Sequence, residues 1–89
     1  MLPTYCPSCH NQLKIKSLHC EQCNTEVIGS YRMPVINLLS AEEQEFIVKF
    51  IKCSGSLKDM ASQLKLSYPT VRNILNNIID NIKDIENHE

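Results

Sequence analysis

The sequence predicts a small α+β protein in two parts: a cysteine-rich segment of short β-hairpins, then an all-α segment of three helices with a long last helix. Three observations predict it. Four of the five cysteines fall within residues 1–32, as two Cys-x-x-Cys pairs. From Ser40 onward the apolar residues recur at helical spacing. The last such run, Val71 to Ile85, lasts roughly four turns at 3.6 residues per turn.

The pairs are Cys6-Pro7-Ser8-Cys9 and Cys20-Glu21-Gln22-Cys23, with ten residues between them. In a chain with no export signal, two such pairs point to a metal rather than to two disulfides or free thiols. Four thiolates suit tetrahedral Zn²⁺, and an iron ion would accept the same cage. The spacing therefore predicts one Zn²⁺ held by Cys6, Cys9, Cys20 and Cys23. A site filled by four thiolates leaves no position for water or substrate, so its expected role is structural. Leu13–Lys16 and Glu26–Ile28 read as short strands, and the ten-residue gap is long enough for a hairpin that returns the chain to the ion. His10 and Asn24 follow the second cysteine of each pair, and both residue types tolerate positive φ. Pro7 suits a tight turn. His10 and His19 adjoin ligand cysteines and are expected to be exposed neighbours, because the four-cysteine set is already complete. Residues 1–32 hold too few hydrophobes to fold alone, so the metal's binding energy would be their folding energy.

Residues 33–39 are expected to form an extended connector whose apolar side chains pack. Residues 40–89 are expected to be helical. Ser40 and Glu43 fit a capping box. Phe46, Ile47, Phe50 and Ile51 read as one apolar face, Gly55 as the stop, and Cys53 as a small buried hydrophobe. A second helix is expected after Ser56, carrying Leu57, Met60, Ala61 and Leu64. A third is expected from near Ser67–Pro69, with its acidic end from Asp84 to Glu89 fraying.

Residues 57–76 match the spacing of a helix-turn-helix. Ala61 provides the small residue where two helices cross, and Met60, Leu64, Leu66, Val71 and Ile74 lock the pair. Lys65 occupies the turn position that usually carries Gly, where a positive φ costs about 1 kcal/mol. Ser67 can cap the third helix, with Pro69 in its first turn. Opposite the apolar face lie Pro69, Arg72, Asn73 and Asn76. In a DNA-binding helix that face enters the major groove, where Arg suits guanine and Asn suits adenine. Ser67, Tyr68 and Thr70 are placed to meet phosphates, and Lys58 and Lys65 to flank the groove.

Charge tempers this reading. Nine Lys and Arg stand against ten Asp and Glu, a formal net charge of −1. From Leu57 to Ile79, Lys58, Lys65 and Arg72 face Asp59 alone. Double-stranded DNA is the expected partner, and pairing two chains through the last helix would double this weak local charge. Its distal isoleucines pack either on Phe46 and Phe50 or on a second chain. The weak charge also admits an adaptor that contacts a protein of the transcription machinery without touching DNA. No nucleophile–base pair, carboxylate pair or phosphate-binding loop marks an enzyme. No stretch approaches the ~18 apolar residues of a membrane helix, and Met1-Leu2-Pro3 begins no export signal. The expected location is the cytoplasm.

With both parts assembled, the chain resembles a family of small bacterial proteins of unknown function, in which a zinc ribbon precedes a helix-turn-helix similar to sigma-factor region four. The residues that carry the resemblance are the CPSC and CEQC pairs and the segment from Leu39 to Asn73, above all SYPTVRN at Ser67 to Asn73. That family shows Gly after its knuckles and in its helical turn, where this chain has His10, Asn24 and Lys65. The resemblance implies a transcriptional regulator.

Overall fold

The computed structural model describes residues 2–87. Two units divide the chain, one ending at Leu38 and the next starting at Leu39.

In the first unit, strands β1 (Ile15–His19) and β2 (Glu26–Tyr31) pair antiparallel. The register sets Ser17 against Ile28, Leu18 against Val27 and His19 against Glu26. The first strand thus begins two residues later than the Leu13–Lys16 expected and runs up to Cys20. The reason is geometric: the second knuckle is itself the hairpin turn, so pairing must continue to its edge. The first knuckle is flanked in the same way by an isolated bridge, Tyr5 to Gln12. The expected hairpin within the ten-residue gap is therefore replaced by one hairpin around each cysteine pair.

Register shifts between Ile15 and Ser17, so Gly29 and Ser30 stand opposite Lys16, a bulge of two residues against one. A Cβ on Gly29 would meet the Tyr31 ring at 2.8 Å. The aromatic ring covers the gap that a glycine leaves in a strand.

Residues 33–39 are not extended as the sequence suggested. Val35–Leu38 form a 3-10 turn, opened by the hydrogen bond from Asn37 N–H to Pro34 C=O at 2.9 Å. Pro34 can open the turn because only its C=O is used there, and the N–H that proline lacks is not needed. Met33 and Leu38 in this stretch are buried.

The second unit is three helices: α1 (Ala41–Lys52), α2 (Leu57–Leu64) and α3 (Tyr68–Asn87). At the start of α1, Ser40 Oγ accepts from Glu43 N–H at 3.2 Å while Glu43 Oε1 accepts from Ser40 N–H at 3.0 Å. This is the capping box that the sequence predicted. The other Glu43 oxygen, Oε2, accepts from Asn81 Nδ2 at 2.7 Å, tying α1 to α3. Partial burial raises the Glu43 pKa, but the hydrogen bonds from Asn81 and Ser40 outweigh it and hold the carboxyl below its ordinary value. Ser56 caps α2, accepting from Asp59 N–H at 3.2 Å. Ser67 caps α3, accepting from Thr70 N–H at 3.3 Å. Asp84–Asn87 remain helical; the rest of the end expected to fray, His88 and Glu89, lies outside the described residues.

Both helix ends use the same device. Past α1, Ser54 N–H bonds Ile51 C=O and Gly55 N–H bonds Phe50 C=O, with φ of 55° at Ser54 and 78° at Gly55. Past α2, Lys65 N–H bonds Ser62 C=O and Leu66 N–H bonds Ala61 C=O, with φ of 56° at Lys65. These are paired Schellman closures, and neither left-handed C′ position carries glycine. Lys65→Gly is expected to raise the stability of this unit by about 0.5–1 kcal/mol, the relief of left-handed strain less glycine's greater freedom when unfolded. Urea unfolding of the two proteins checks this through the midpoint at constant slope.

Leu39, Phe46, Cys53, Leu57, Met60, Val71 and Ile78 form the core, with Ile47, Phe50, Ala61, Leu64, Ile74, Leu75, Ile82 and Ile85 packed against it. Cys53 is the buried hydrophobe that the sequence predicted. Phe46 and Phe50 stack with ring centroids 6.2 Å apart. Two expected core residues are outside it. Ile51 is 69% exposed, because it lies about 140° round the helix from Phe46 at about 100° per residue. Leu66 is 42% exposed, because the chain reversal at Lys65 turns it outward. Among the described residues, no helix is long and apolar enough to cross a membrane.

Candidate metal centre and nucleic-acid interface

The two cysteine pairs fold into the same shape twice. Cys6 N–H bonds Asn11 C=O at 2.9 Å and His10 N–H bonds Cys6 C=O at 2.8 Å. Fourteen residues later, Cys20 N–H bonds Thr25 C=O and Asn24 N–H bonds Cys20 C=O, both at 2.8 Å. His10 and Asn24 close the turns with φ of 64° and 61°, the positions where the sequence asked for a residue tolerant of the left-handed region. Neither amino acid is glycine, yet both belong to the types that enter that region most readily.

The sulfurs sit among donors. Ser8 N–H points to Cys6 Sγ at 3.4 Å, and Cys23 Sγ lies 3.0 Å from Thr25 Oγ1. Backbone hydrogen bonding from Cys9, then from Ser8, with a side-chain bond from Cys9, lowers the Cys6 thiol pKa below its ordinary value. The Thr25 hydroxyl, then the Thr25 backbone and the Cys20 thiol, lower that of Cys23. Hydrogen bonds of this kind favour the thiolate, the form that ligates metals. The donor set therefore fits a thiophilic ion chemically. Spatially, the thiols associate two by two, Cys6 with Cys9 and Cys20 with Cys23. Among the described residues, no three His, Cys, Asp or Glu side chains gather as a ready metal cluster. His10 and His19 are both exposed, and His19 lies within β1, opposite Glu26.

In the helical unit, Lys58, Lys65, Ser67, Tyr68, Pro69, Thr70, Arg72, Asn73 and Asn76 are all exposed. They run from α2 across the turn into the first half of α3. Val71 and Ile78 are fully or almost fully buried, at 0% and 2% exposure, so the polar side chains between them are turned outward by helical geometry. The Ser67 and Thr70 hydroxyls bond each other at 2.8 Å, each leaving hydrogen-bonding capacity free for another group.

Family comparison decides what these parts are. A model described as the zinc ribbon of a domain of unknown function, DUF2089, matches residues 6–37. A second, described as the helix-turn-helix of the same domain, matches residues 39–85. The chain belongs to the DUF2089 family. No curated protein and no solved structure matches it.

The zinc-ribbon match opens on Cys6 and includes both knuckles. The helix-turn-helix match begins at Leu39, the first residue of the three-helix unit. The match takes in α1, α2 and most of α3, and Lys65, Leu66 and Ser67 join α2 to α3. One structural partnership has no signal in the sequence, that of Asn81 on α3. Its partner Glu43 is 38 residues away, and no periodicity signals such a pair.

Proposed function

We propose that this DUF2089 protein is a non-enzymatic DNA-binding regulator, in which one structural Zn²⁺ held by Cys6, Cys9, Cys20 and Cys23 folds the ribbon. When bound, the ion neutralises sulfur anions and joins the two knuckles; it supplies no reaction chemistry. The zinc-ribbon match across both cysteine pairs, and the hydrogen bonds that favour the thiolate at Cys6 and Cys23, support this assignment.

The observation that carries the DNA reading is the outer face of α3. Arg72, Asn73 and Asn76 stand exposed near the start of a helix of 20 residues whose opposite side is anchored by Val71 and Ile78. Such a helix can enter a major groove N-terminus first, Arg72 reading guanine and an Asn reading adenine. Ser67, Tyr68, Pro69 and Thr70 at the helix start, with Lys58 and Lys65, would line the phosphates. Asp80 on the same helix marks where contact should end.

The test is binding to random duplex across a salt series, with zinc-loaded protein. A steep loss of affinity with salt is expected, because cation–phosphate contacts release counterions. Arg72→Ala is expected to cost about 1–3 kcal/mol on the preferred duplex and to relax base preference at one position, with helicity unchanged. Unaltered preference would remove Arg72 from base reading.

Pairing of two chains through α3 would double the local charge. Ile82 and Ile85 already pack on their own core, which leaves Ile79, 39% exposed, as the apolar residue offered to a partner. Sedimentation at micromolar concentration decides this point. The alternative is an adaptor for a transcription-machinery protein inside the cell, favoured by the net charge of −1. Salt-independent, negligible duplex binding would select it.

A further inference from the structure

The helical unit carries a groove that DNA binding does not use. Its floor is apolar: Phe46 of α1, Leu64 of α2, and Ile74 and Ile78 of α3. Its rim is Glu42, Glu43 and Glu45, and among its lining residues only Lys49 is cationic. All three helices line it: Glu42 to Lys49 on α1, Leu64 on α2, and Ile74 and Ile78 on α3. The Asn81–Glu43 hydrogen bond links the α1 and α3 walls.

Size and charge narrow what fits. At about 270 Å³, the groove falls just below the roughly 300–1,000 Å³ of small-molecule pockets. It suits an anchoring side chain better than an enclosed ligand. Acidic residues in the first turn of a helix complement its dipole, and Glu43 is also engaged in the cap. Glu42 and Glu45 are exposed and, among the described residues, have no hydrogen-bond or ion-pair partner. An apolar floor with an acidic rim repels phosphate and attracts cations. On α3, Arg72 and Asn76 each lie about 160° round the helix from Ile74 at about 100° per residue, so the groove and the proposed DNA face are separate surfaces.

We propose that this groove docks a cationic amphipathic segment of another protein. One bulky apolar side chain enters between α1 and α3, and flanking Lys or Arg residues meet Glu42 and Glu45. This is helix-in-groove recognition with charge selecting the partner. It is independent of the DNA reading, which uses the other side of α3.

The test uses the full zinc-loaded chain and two synthetic helical peptides with the same leucine anchors, one flanked by lysines and one by glutamates. The lysine peptide is expected to bind at least about tenfold more tightly at low salt, with the difference shrinking as salt screens the rim. Side-chain NMR signals of Phe46, Leu64, Ile74 and Ile78 should shift on binding, and a duplex should not displace the peptide. The double variant Glu42→Lys/Glu45→Lys should reverse the preference with its circular dichroism unchanged. Should that variant misfold, Glu42→Gln/Glu45→Gln should abolish the preference. Equal binding of the two peptides, binding of neither, or shifts confined to other residues would overturn the proposal. So would concentration-dependent shifts of the same groove signals without peptide, which would show that a second copy of this chain fills it.

Discussion

Chelating the metal is expected to unfold the ribbon and leave the three helices folded. The reason lies in burial. No described residue from Leu2 to Arg32 is buried, and every member of the main core comes from Leu39 or later. The β1–β2 pair is a two-stranded hairpin with solvent-exposed Leu18, Val27 and Ile28, and such hairpins are marginal at best in water. On the proposed zinc assignment the ion supplies what is missing, since its binding contributes about 10–16 kcal/mol in comparable four-ligand peptides near neutral pH. Amide NMR spectra under reducing conditions, before and after chelation, provide the measurement. Signals of β1, β2 and both knuckles should collapse to unfolded positions while those of α1, α2 and α3 persist, and re-adding Zn²⁺ should restore them. Persistence of the hairpin signals after verified removal of metal would refute the structural role.

The second large effect is expected from Met60→Ala. Met60 is 0% exposed and belongs to the core cluster formed by all three helices. Truncating a buried Met costs about 2–5 kcal/mol, the lost transfer energy plus a cavity. Against a typical total of about 5–15 kcal/mol, in a unit too small to hold much reserve, that loss should move the urea midpoint far down or leave the helices unfolded at growth temperature. The contrast is Ile51→Ala. By pattern alone Ile51 belonged to the apolar face, but at 69% exposure its truncation should change stability by less than about 0.5 kcal/mol. Equal effects of the two substitutions would contradict this account of the core.

These cases show where sequence reading succeeds. Its clearest successes depend on nearby residues. The Ser40–Glu43 capping box, the Ser67 cap, the left-handed Lys65, and the turns closed by His10 and Asn24 all involve residues within about five positions of each other. At that range, covalent geometry and side-chain reach leave few alternatives. Where sequence reading missed, the answer depended on position around an axis or on a distant partner. Phe50 and Ile51 are adjacent, but Phe50 lies about 40° round the helix from Phe46 and Ile51 about 140° at about 100° per residue, so one packs on the core and the other is exposed. The β1 boundary was misplaced because pairing with β2 sets the end of the strand, and hydrophobic alternation does not.

Spacing and capping chemistry act locally, so the residues alone specify the two-part architecture, the two cysteine knuckles, the order of the three helices and the caps at Ser40 and Ser67. Helix packing settles which apolar residues form the core, that Glu43 reaches Asn81, and that an acidic-rimmed, apolar-floored groove opens on the helical unit. Those features join residues far apart in the chain, and they take shape only when the helices pack and their side chains compete for the same small volume.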